Sequence, residues 1–148
     1  MPINQNHPAH PRLSIEIALS PAFHDLDPMD IVWHGNYPKY LEIARCALLS
    51  QFNYDYPQMK ASGYAWPIVD MRLKYVKPAR FEQKLIVRAE IVEWESRLKI
   101  NYLIKDAVSG QKINQAHTIQ VAVDMSTGEM QYVCPAILWE RLGVEEPQ

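Results

Sequence analysis

The sequence predicts an α+β domain in which a curved antiparallel sheet wraps around one long central helix. Three observations support this prediction. One long stretch has helical periodicity, most later stretches alternate apolar and polar residues, and short turn-like links join those stretches. Links this short between successive strands permit only antiparallel pairing. Because one helix cannot cover a flat sheet of this size, we expect the sheet to curve around it.

The first half of the chain supplies one strand and the helix. Apolar and polar residues alternate from Leu13 to Leu19, which predicts a strand with one buried face. Residues 20–35 show no sustained period and are predicted to form a loop. Apolar residues then recur at helical spacing from about Tyr37 to Phe52, so we expect a helix that is covered on most sides. A narrow polar stripe along this helix is formed by Lys39, Glu42 and Arg45.

The second half is predicted to be a meander of strands. Residues 53–66 form an aromatic connection that contains proline and glycine. The four alternating stretches after it are Val69–Tyr75, Leu85–Ile91, Leu98–Ile104 and Ile113–Asp124. In the last of these, Ile119 shares one face with other apolar residues, and His117 is interpreted as a core histidine. A short strand near residues 130–133 and a C-terminal helical turn complete the prediction.

Composition limits the possible functions. The chain has 148 residues, of which 48% are hydrophobic and 22% charged, which is enough for one domain with its own core. We therefore expect a flexible tail over residues 1–11 and a single domain over residues 12–148. The net charge of −2 gives no electrostatic reason to expect nucleic acid or an anionic membrane as a partner. No long apolar run or leader pattern is visible, and two unpatterned cysteines suggest a reducing compartment, so we expect a cytoplasmic protein.

The stretch DLDPMDIVWHGNYPKYLEIAR, residues 25–45, places three aspartates and a histidine at the start of the predicted helix. Aspartates in this position often cap a helix. Asp27 lies about nine residues before the helix, however, too far to cap it, and Asn36 is the better cap candidate. Asp27 would then be a solvated carboxylate and His34 a structural histidine. Alternatively, free N–H groups at the helix start would form an oxyanion site with Asp27 as the attacking carboxylate or general base.

This stretch resembles the hotdog-fold acyl-CoA thioesterases of the 4-hydroxybenzoyl-CoA thioesterase type. The pattern that carries the resemblance is Asp-x-Asp-Pro-x-x-Ile-Val-Trp-x-x-Asn-Tyr-x-x-Tyr-Leu-Glu-x-Ala-Arg. The similarity continues through PIVD at 67–70 and YVKPAR at 75–80 to about residue 130. It implies the hotdog fold, in which two protomers join their sheets edge to edge as a homodimer or, by further pairing, a homotetramer.

The resemblance also implies residue roles. Asp27 corresponds to the catalytic carboxylate, and His34 to the residue whose backbone N–H polarises the thioester carbonyl. The substrate-binding residues implied or suggested are Trp33, Asn36, Tyr37, Pro67 and Asp70, with the last two contributed by the second protomer. The implied reaction is hydrolysis of an acyl-CoA to a free acid and coenzyme A, without a metal or other cofactor. The coenzyme A phosphates require cations, for which Lys74, Lys77, Arg80, Arg88 and Lys99 are candidates.

One departure from the family pattern leaves alternatives open. The family usually has small residues where this chain has Met29 and Asp30, which adds a carboxylate beside Asp27 and a bulky side chain near the acyl pocket. An acyl-carrier-protein thioesterase would use the same site with another docking surface. A non-catalytic module that binds acyl thioesters or a protein partner is the alternative outside the enzymes. A hotdog dehydratase is less favoured, because the Asp and His arrangement of that reaction is not visible.

Overall fold

The computed structural model describes residues 13–147, so the predicted tail at 1–11 lies outside the described residues. The helices are α1 (Tyr37–Ser50), α2 (Tyr56–Ala61) and α3 (Ala136–Leu142). The strands are β1 (Ser14–Leu19), β2 (Tyr64–Ala65), β3 (Ile68–Tyr75), β4 (Leu85–Glu93), β5 (Leu98–Asp106), β6 (Lys112–Gln120) and β7 (Val123–Asp124). Single 3₁₀ turns at Phe23–Asp25 and His34–Asn36 lie in the loop before α1.

Helix α1 packs on one face of a five-stranded antiparallel sheet, which confirms the predicted fold class. The helix contacts β1 and β4, and its apolar side chains join the alternate side chains of β4 and β5 in the core. Leu41, Ala44 and Leu48 are at most 1% exposed, as the helical spacing predicts. The helix ends at Ser50, two residues before the predicted end.

The strand order corrects the predicted meander. The sheet runs β1-β4-β5-β6-β3, so β3 pairs with β6 and not with β4, which follows it in sequence. Residues 76–84 cross from one side of the sheet to the other past the start of α1. On the way, the carbonyl of Ala79 accepts a hydrogen bond from the N–H of Val32, and its N–H donates to the hydroxyl of Tyr37. The crossing segment therefore holds the loop that carries the three aspartates.

Two predicted side-chain positions were wrong. Arg45, assigned to the polar stripe of α1, is only 1% exposed and binds Glu42 and the hydroxyl of Tyr56. His117 lies opposite Asn101 and Arg72 on the outer face of the sheet rather than in the core. The inner face of β6 instead carries Asn114, Ala116, Thr118 and Gln120, which lie opposite buried residues of β5. Among residues 13–147, no helix has both the length and the apolar character needed to cross a bilayer.

Candidate active site

Asp27 begins a tight loop that closes immediately before α1. Leu26 pairs with Val32 in an isolated antiparallel bridge, and the N–H of Asp27 donates to the carbonyl of Ile31 at 2.9 Å. The Oδ1 atom of Asp27 accepts the N–H of Met29 at 2.8 Å, whereas its Oδ2 atom has no partner among the described residues. One carboxylate oxygen is thus fixed by the loop, and the other is available to a ligand.

The start of α1 provides unpaired backbone donors. In the 3₁₀ turn His34–Asn36, the N–H of Asn36 donates to the carbonyl of Trp33, and within residues 13–147 the N–H groups of His34 and Gly35 have no hydrogen-bond partner. Such groups occur at every helix N-terminus, where the aligned peptide dipoles also favour negative charge. His34 and Gly35 are both exposed, so a ligand can approach these donors.

Asp27 and His34 line the same cavity, which has a volume of about 300 Å³ and is called the Asp27 cavity below. Its other walls include Tyr37 from α1, Tyr75 from the end of β3 and Lys77 from the crossing segment. The cavity therefore combines a carboxylate with the start of α1. Burial raises the pKa of Tyr37, so this phenol stays protonated at neutral pH.

Asp25, two residues before Asp27, is buried and hydrogen-bonded, and its role is structural. Only 3% of it is exposed, and its carboxylate accepts hydrogen bonds from Lys39 at 2.5 Å, Tyr40 at 2.7 Å and the N–H of Ala22 at 3.0 Å. Burial alone would raise the pKa of Asp25, but these donors outweigh burial and lower it to about 2. Asp25 therefore remains charged and holds the loop against α1.

Two of the predicted binding residues contact the loop rather than the cavity. The side chain of Asn36 does not cap α1, which corrects the predicted cap, but donates to the carbonyl of Asp25 at 2.7 Å. The Trp33 ring lies against Gly35, where any side chain at position 35 would collide with it. Neither residue lines the Asp27 cavity, whereas Tyr37 does. Asn36 and Trp33 thus support the start of α1 from positions outside the Asp27 cavity.

Pro67 and Asp70 lie apart from the Asp27 cavity within this chain. Pro67 lines an apolar groove of about 540 Å³ at the beginning of β3, together with Tyr64, Trp66 and Met125. Asp70 is exposed on β3 opposite Ile119, after a bulge in the strand. The chain by itself therefore brings together Asp27, His34 and Tyr37, but not the residues that the resemblance assigns to a second protomer.

The loop keeps its tight turn with Met29 and Asp30 in it. Asp30 has φ = 63°, in the left-handed region where glycine is most frequent and Asp is tolerated. Its N–H donates to the carbonyl of Asp27 at 3.0 Å, and its side chain is exposed. Met29 lines the Asp27 cavity although it is 72% exposed. The departure from the family pattern thus retains a tight turn and places one flexible apolar side chain at the cavity.

Tyr75 is a site residue that sequence reasoning did not single out. Its hydroxyl donates to the carbonyl of His34 at 2.7 Å, and its ring meets that of Tyr37 edge to face at 5.4 Å between centroids. The alternation of β3 showed only that Tyr75 is on the same face as Leu73. No local signal indicated that the end of β3 would lie beside the start of α1.

Comparisons with known proteins agree with this geometry. Residues 21–140 match the sequence pattern of the thioesterase-like superfamily, so the chain belongs to that family. It is 26% identical over 103 residues to an acyl-CoA thioester hydrolase, YbgC, of Escherichia coli O157:H7, an alignment that covers 69% of this chain and 76% of that protein. Family membership confirms the resemblance inferred from the stretch before α1.

Solved structures show the same fold. A 1,4-dihydroxy-2-naphthoyl-CoA thioesterase from Synechocystis superimposes with a TM-score of 0.79 at 19% identity, covering 88% of this chain and 96% of that one. A mutant 4-hydroxybenzoyl-CoA thioesterase in complex with 4-hydroxybenzoyl-CoA gives a TM-score of 0.76 at 22% identity, covering 88% and 99%. The sheet and helix described above are thus the hotdog arrangement that the resemblance implies.

Proposed function

We propose that this protein hydrolyses acyl-CoA thioesters to a free acid and coenzyme A. The observation that carries the proposal is that Asp27, with one uncommitted carboxylate oxygen, shares a cavity with His34 at the start of α1. Membership of the thioesterase-like superfamily and the named activity of the YbgC relative support the same reaction.

The chemistry uses both parts of the Asp27 cavity. The N–H groups of His34 and Gly35 receive the thioester carbonyl oxygen and stabilise the negative charge that develops on it. Asp27 either attacks the carbonyl carbon, giving an anhydride that water then hydrolyses, or removes a proton from an attacking water. In both routes the C–S bond breaks and coenzyme A leaves as the thiol after taking up a proton. Label on Asp27 after a single turnover in ¹⁸O-water establishes the anhydride route, because water that attacks the Asp27 carbonyl of the anhydride leaves its oxygen on that side chain.

The apolar groove at the beginning of β3 is a second surface, besides the Asp27 cavity, that suits an acyl group. The Asp27 cavity and the apolar groove lie at opposite ends of β3, which spans eight residues or roughly 23 Å. Among the described residues, β3 has a strand partner on one side only. Antiparallel pairing of β3 with the same strand of a second copy places the Asp27 cavity of one protomer beside the apolar groove of the other. We propose this homodimer as the active unit, with Pro67 and Asp70 in the composite site.

The test is the variant Asp27→Asn, assayed with a panel of aliphatic and aromatic acyl-CoAs. We expect the loss of at least about three orders of magnitude in kcat, as is typical when a nucleophile or general base is removed. Asp30→Asn is the matched control, because it removes a carboxylate from the same loop and Asn tolerates positive φ equally well. Full activity in the Asp27 variant, or equal loss in the control, would contradict the assigned role.

We propose that the protein is cytoplasmic, and the state of its thiols supports this proposal. Cys46 and Cys134 are both free. Burial raises the pKa of Cys46 to about 11 and that of Cys134 to about 12, so neither forms a reactive thiolate at neutral pH. Free, unreactive thiols are typical of proteins in a reducing compartment.

A further inference from the structure

Among the described residues, Lys77 is the one lysine or arginine in the lining of the Asp27 cavity. By resemblance, it is one of five cations considered for the coenzyme A phosphates. Three of the others, Lys74, Arg88 and Lys99, line a concavity on the outer face of the sheet. Lys77 instead shares a cavity of about 300 Å³ with the carboxylate of Asp27. Its position is therefore that of a residue close to the chemistry.

Lys77 is held in place without being neutralised. Its backbone N–H and that of Val76 both donate to the carbonyl of Ile113, at 3.1 and 3.0 Å. Its Nζ atom donates to Oε1 of Gln111 at 3.0 Å, and this partner is neutral. Among the described residues, no carboxylate is close enough to form an ion pair with Lys77, including that of Asp27. The positive charge is thus positioned but not paired.

Three groups of residues form the walls of the Asp27 cavity, and two of them already have a role. The loop supplies Asp27, and the start of α1 supplies the N–H groups of His34 and Gly35. The third wall is formed by residues 75–78 at the end of β3 and the start of the crossing segment, and it carries Lys77. With the carbonyl oxygen at the start of α1 and the acyl group directed along β3 toward the second protomer, the sulfur is the substituent left to face this wall.

We propose that the ammonium group of Lys77 stabilises the leaving thiolate as the C–S bond breaks. This inference rests on the proposed function. The electron pair of the bond goes to sulfur, and the thiolate then takes up a proton derived from the water that hydrolysis consumes. Lys77 acts by its charge and not as the proton donor, because an alkylammonium ordinarily holds its proton more tightly than a thiol does. A fixed charge beside the atom on which negative charge develops lowers the barrier without having to reorganise.

Two other roles for Lys77 fit less well. A cation that served only to keep Asp27 ionised would be expected to pair with it, and the two form no ion pair. A cation that binds the phosphates would lie far from the reacting carbonyl, because the pantetheine arm of coenzyme A separates its sulfur from its phosphates. Lys77 lines the same small cavity as Asp27. A role at the sulfur agrees with both observations.

The test is the variant Lys77→Met, assayed with three thioesters of one acyl group. Acyl-pantetheine has the alkyl thiol of coenzyme A but none of its phosphates. The thiophenol and 4-nitrothiophenol esters have progressively more stable thiolates, which need less help from the protein. We expect kcat to fall roughly twentyfold on acyl-pantetheine at similar KM, and by less than about twofold on the nitrothiophenol ester.

Two further variants serve as controls. Lys77→Arg keeps the positive charge and should retain most of the activity on all three esters. Lys84→Met removes an exposed cation outside the Asp27 cavity and should leave the three rates unchanged. An unchanged rate of Lys77→Met on acyl-pantetheine would overturn the proposal. An equal fall with all three leaving groups would also overturn it, because Lys77 would then support the site as a whole and not the thiolate.

The same assays, with the corresponding acyl-CoA added, separate this proposal from the proposed function. If the unchanged protein hydrolyses the thioesters and Lys77→Met is equally active, the role of Lys77 is wrong and the thioesterase assignment stands. A loss confined to acyl-CoA would place Lys77 at the phosphates, which again contradicts only the role at the sulfur. If the unchanged protein hydrolyses none of the thioesters, both proposals are wrong.

Discussion

Tyr75 connects the edge strand of the sheet to the proposed oxyanion site. Its hydroxyl donates to the carbonyl of His34. That carbonyl and the free N–H of Gly35 belong to the same planar trans peptide and point in opposite directions. Holding the carbonyl therefore also orients the N–H. We interpret Tyr75 as a positioning residue that acts on the reaction through this peptide.

The variant Tyr75→Phe tests this interpretation. It removes the hydroxyl but keeps the ring that packs on Tyr37. Loss of one hydrogen bond worth about 1 kcal/mol lowers kcat roughly fivefold if it acts only in the transition state. We expect this fall with unchanged KM and unchanged melting temperature, measured on one acyl-CoA. Tyr132→Phe, at a position that is 80% exposed, serves as control. A change in KM alone would assign Tyr75 to substrate binding instead.

At the scale of the elements, β3 is an unusual edge strand. Exposed edges are normally protected by charge or by proline. β3 has such charges at Asp70, Arg72 and Lys74, but it also exposes apolar side chains: Val69 is 57% exposed, Met71 37% and Tyr75 48%. Exposed apolar side chains beside unpaired backbone groups favour pairing with another strand, which is the contact that the proposed homodimer uses.

Substituting Val69→Lys should therefore separate the protomers. Because the interface is two-fold symmetric, each protomer would bring one new lysine to it, and lysine on an edge strand opposes pairing. We expect light scattering after gel filtration to report half the mass of the unchanged protein, together with loss of thioesterase activity. Val108→Lys, at a turn position that is 88% exposed, is the matched control. If the Val69 variant kept both mass and activity, β3 would not be the interface.

The elements differ in how far the sequence predicts them. Local periodicity identified α1 and all the long strands, because apolar residues recur at a regular spacing along each of them. It could not place β3, since strand order depends on the path of residues 76–84 rather than on any local pattern. It also misplaced Arg45. In the sequence, Arg45 continues the polar stripe of α1 at regular spacing, and nothing there shows that its guanidinium is buried with Glu42 and Tyr56 as partners.

At the scale of the whole molecule, stability at low pH depends on the buried carboxylate of Asp25. Its pKa of about 2 in the folded protein lies below the ordinary value of 3.8, so folding favours the charged form. Its contribution is complete above about pH 4 and disappears as the pH falls toward 2. The difference corresponds to about 2 kcal/mol.

We therefore expect Asp25→Asn to lower the free energy of unfolding at pH 6, with the deficit shrinking between pH 4 and pH 2. Urea denaturation across this range measures it. Asp30→Asn, in the same loop, should leave the pH dependence unchanged because its side chain is exposed. A constant deficit at every pH would show that Asp25 contributes through packing and not through its charge.

The candidate site was predictable only in part. The motif before α1 pointed to Asp27, His34 and Tyr37, which line one cavity because they lie on a short segment and at the start of one helix. The roles of Asp25 and Tyr75 depend on contacts with distant residues, such as the bond from Tyr75 to His34, 41 positions away. The left-handed backbone conformation of Asp30 could not be predicted either, since an aspartate can replace glycine there without changing the turn.

Because Asp25 fastens the loop to Lys39 and Tyr40, Asp27 contributes little to holding it in place. An asparagine at position 27 retains an oxygen that accepts the N–H of Met29. The inactive protein should consequently keep its binding surfaces and retain an uncleaved thioester. Incubated with a mixture of synthetic acyl-CoAs and examined by native mass spectrometry, it would act as a substrate trap that selects the preferred acyl chain.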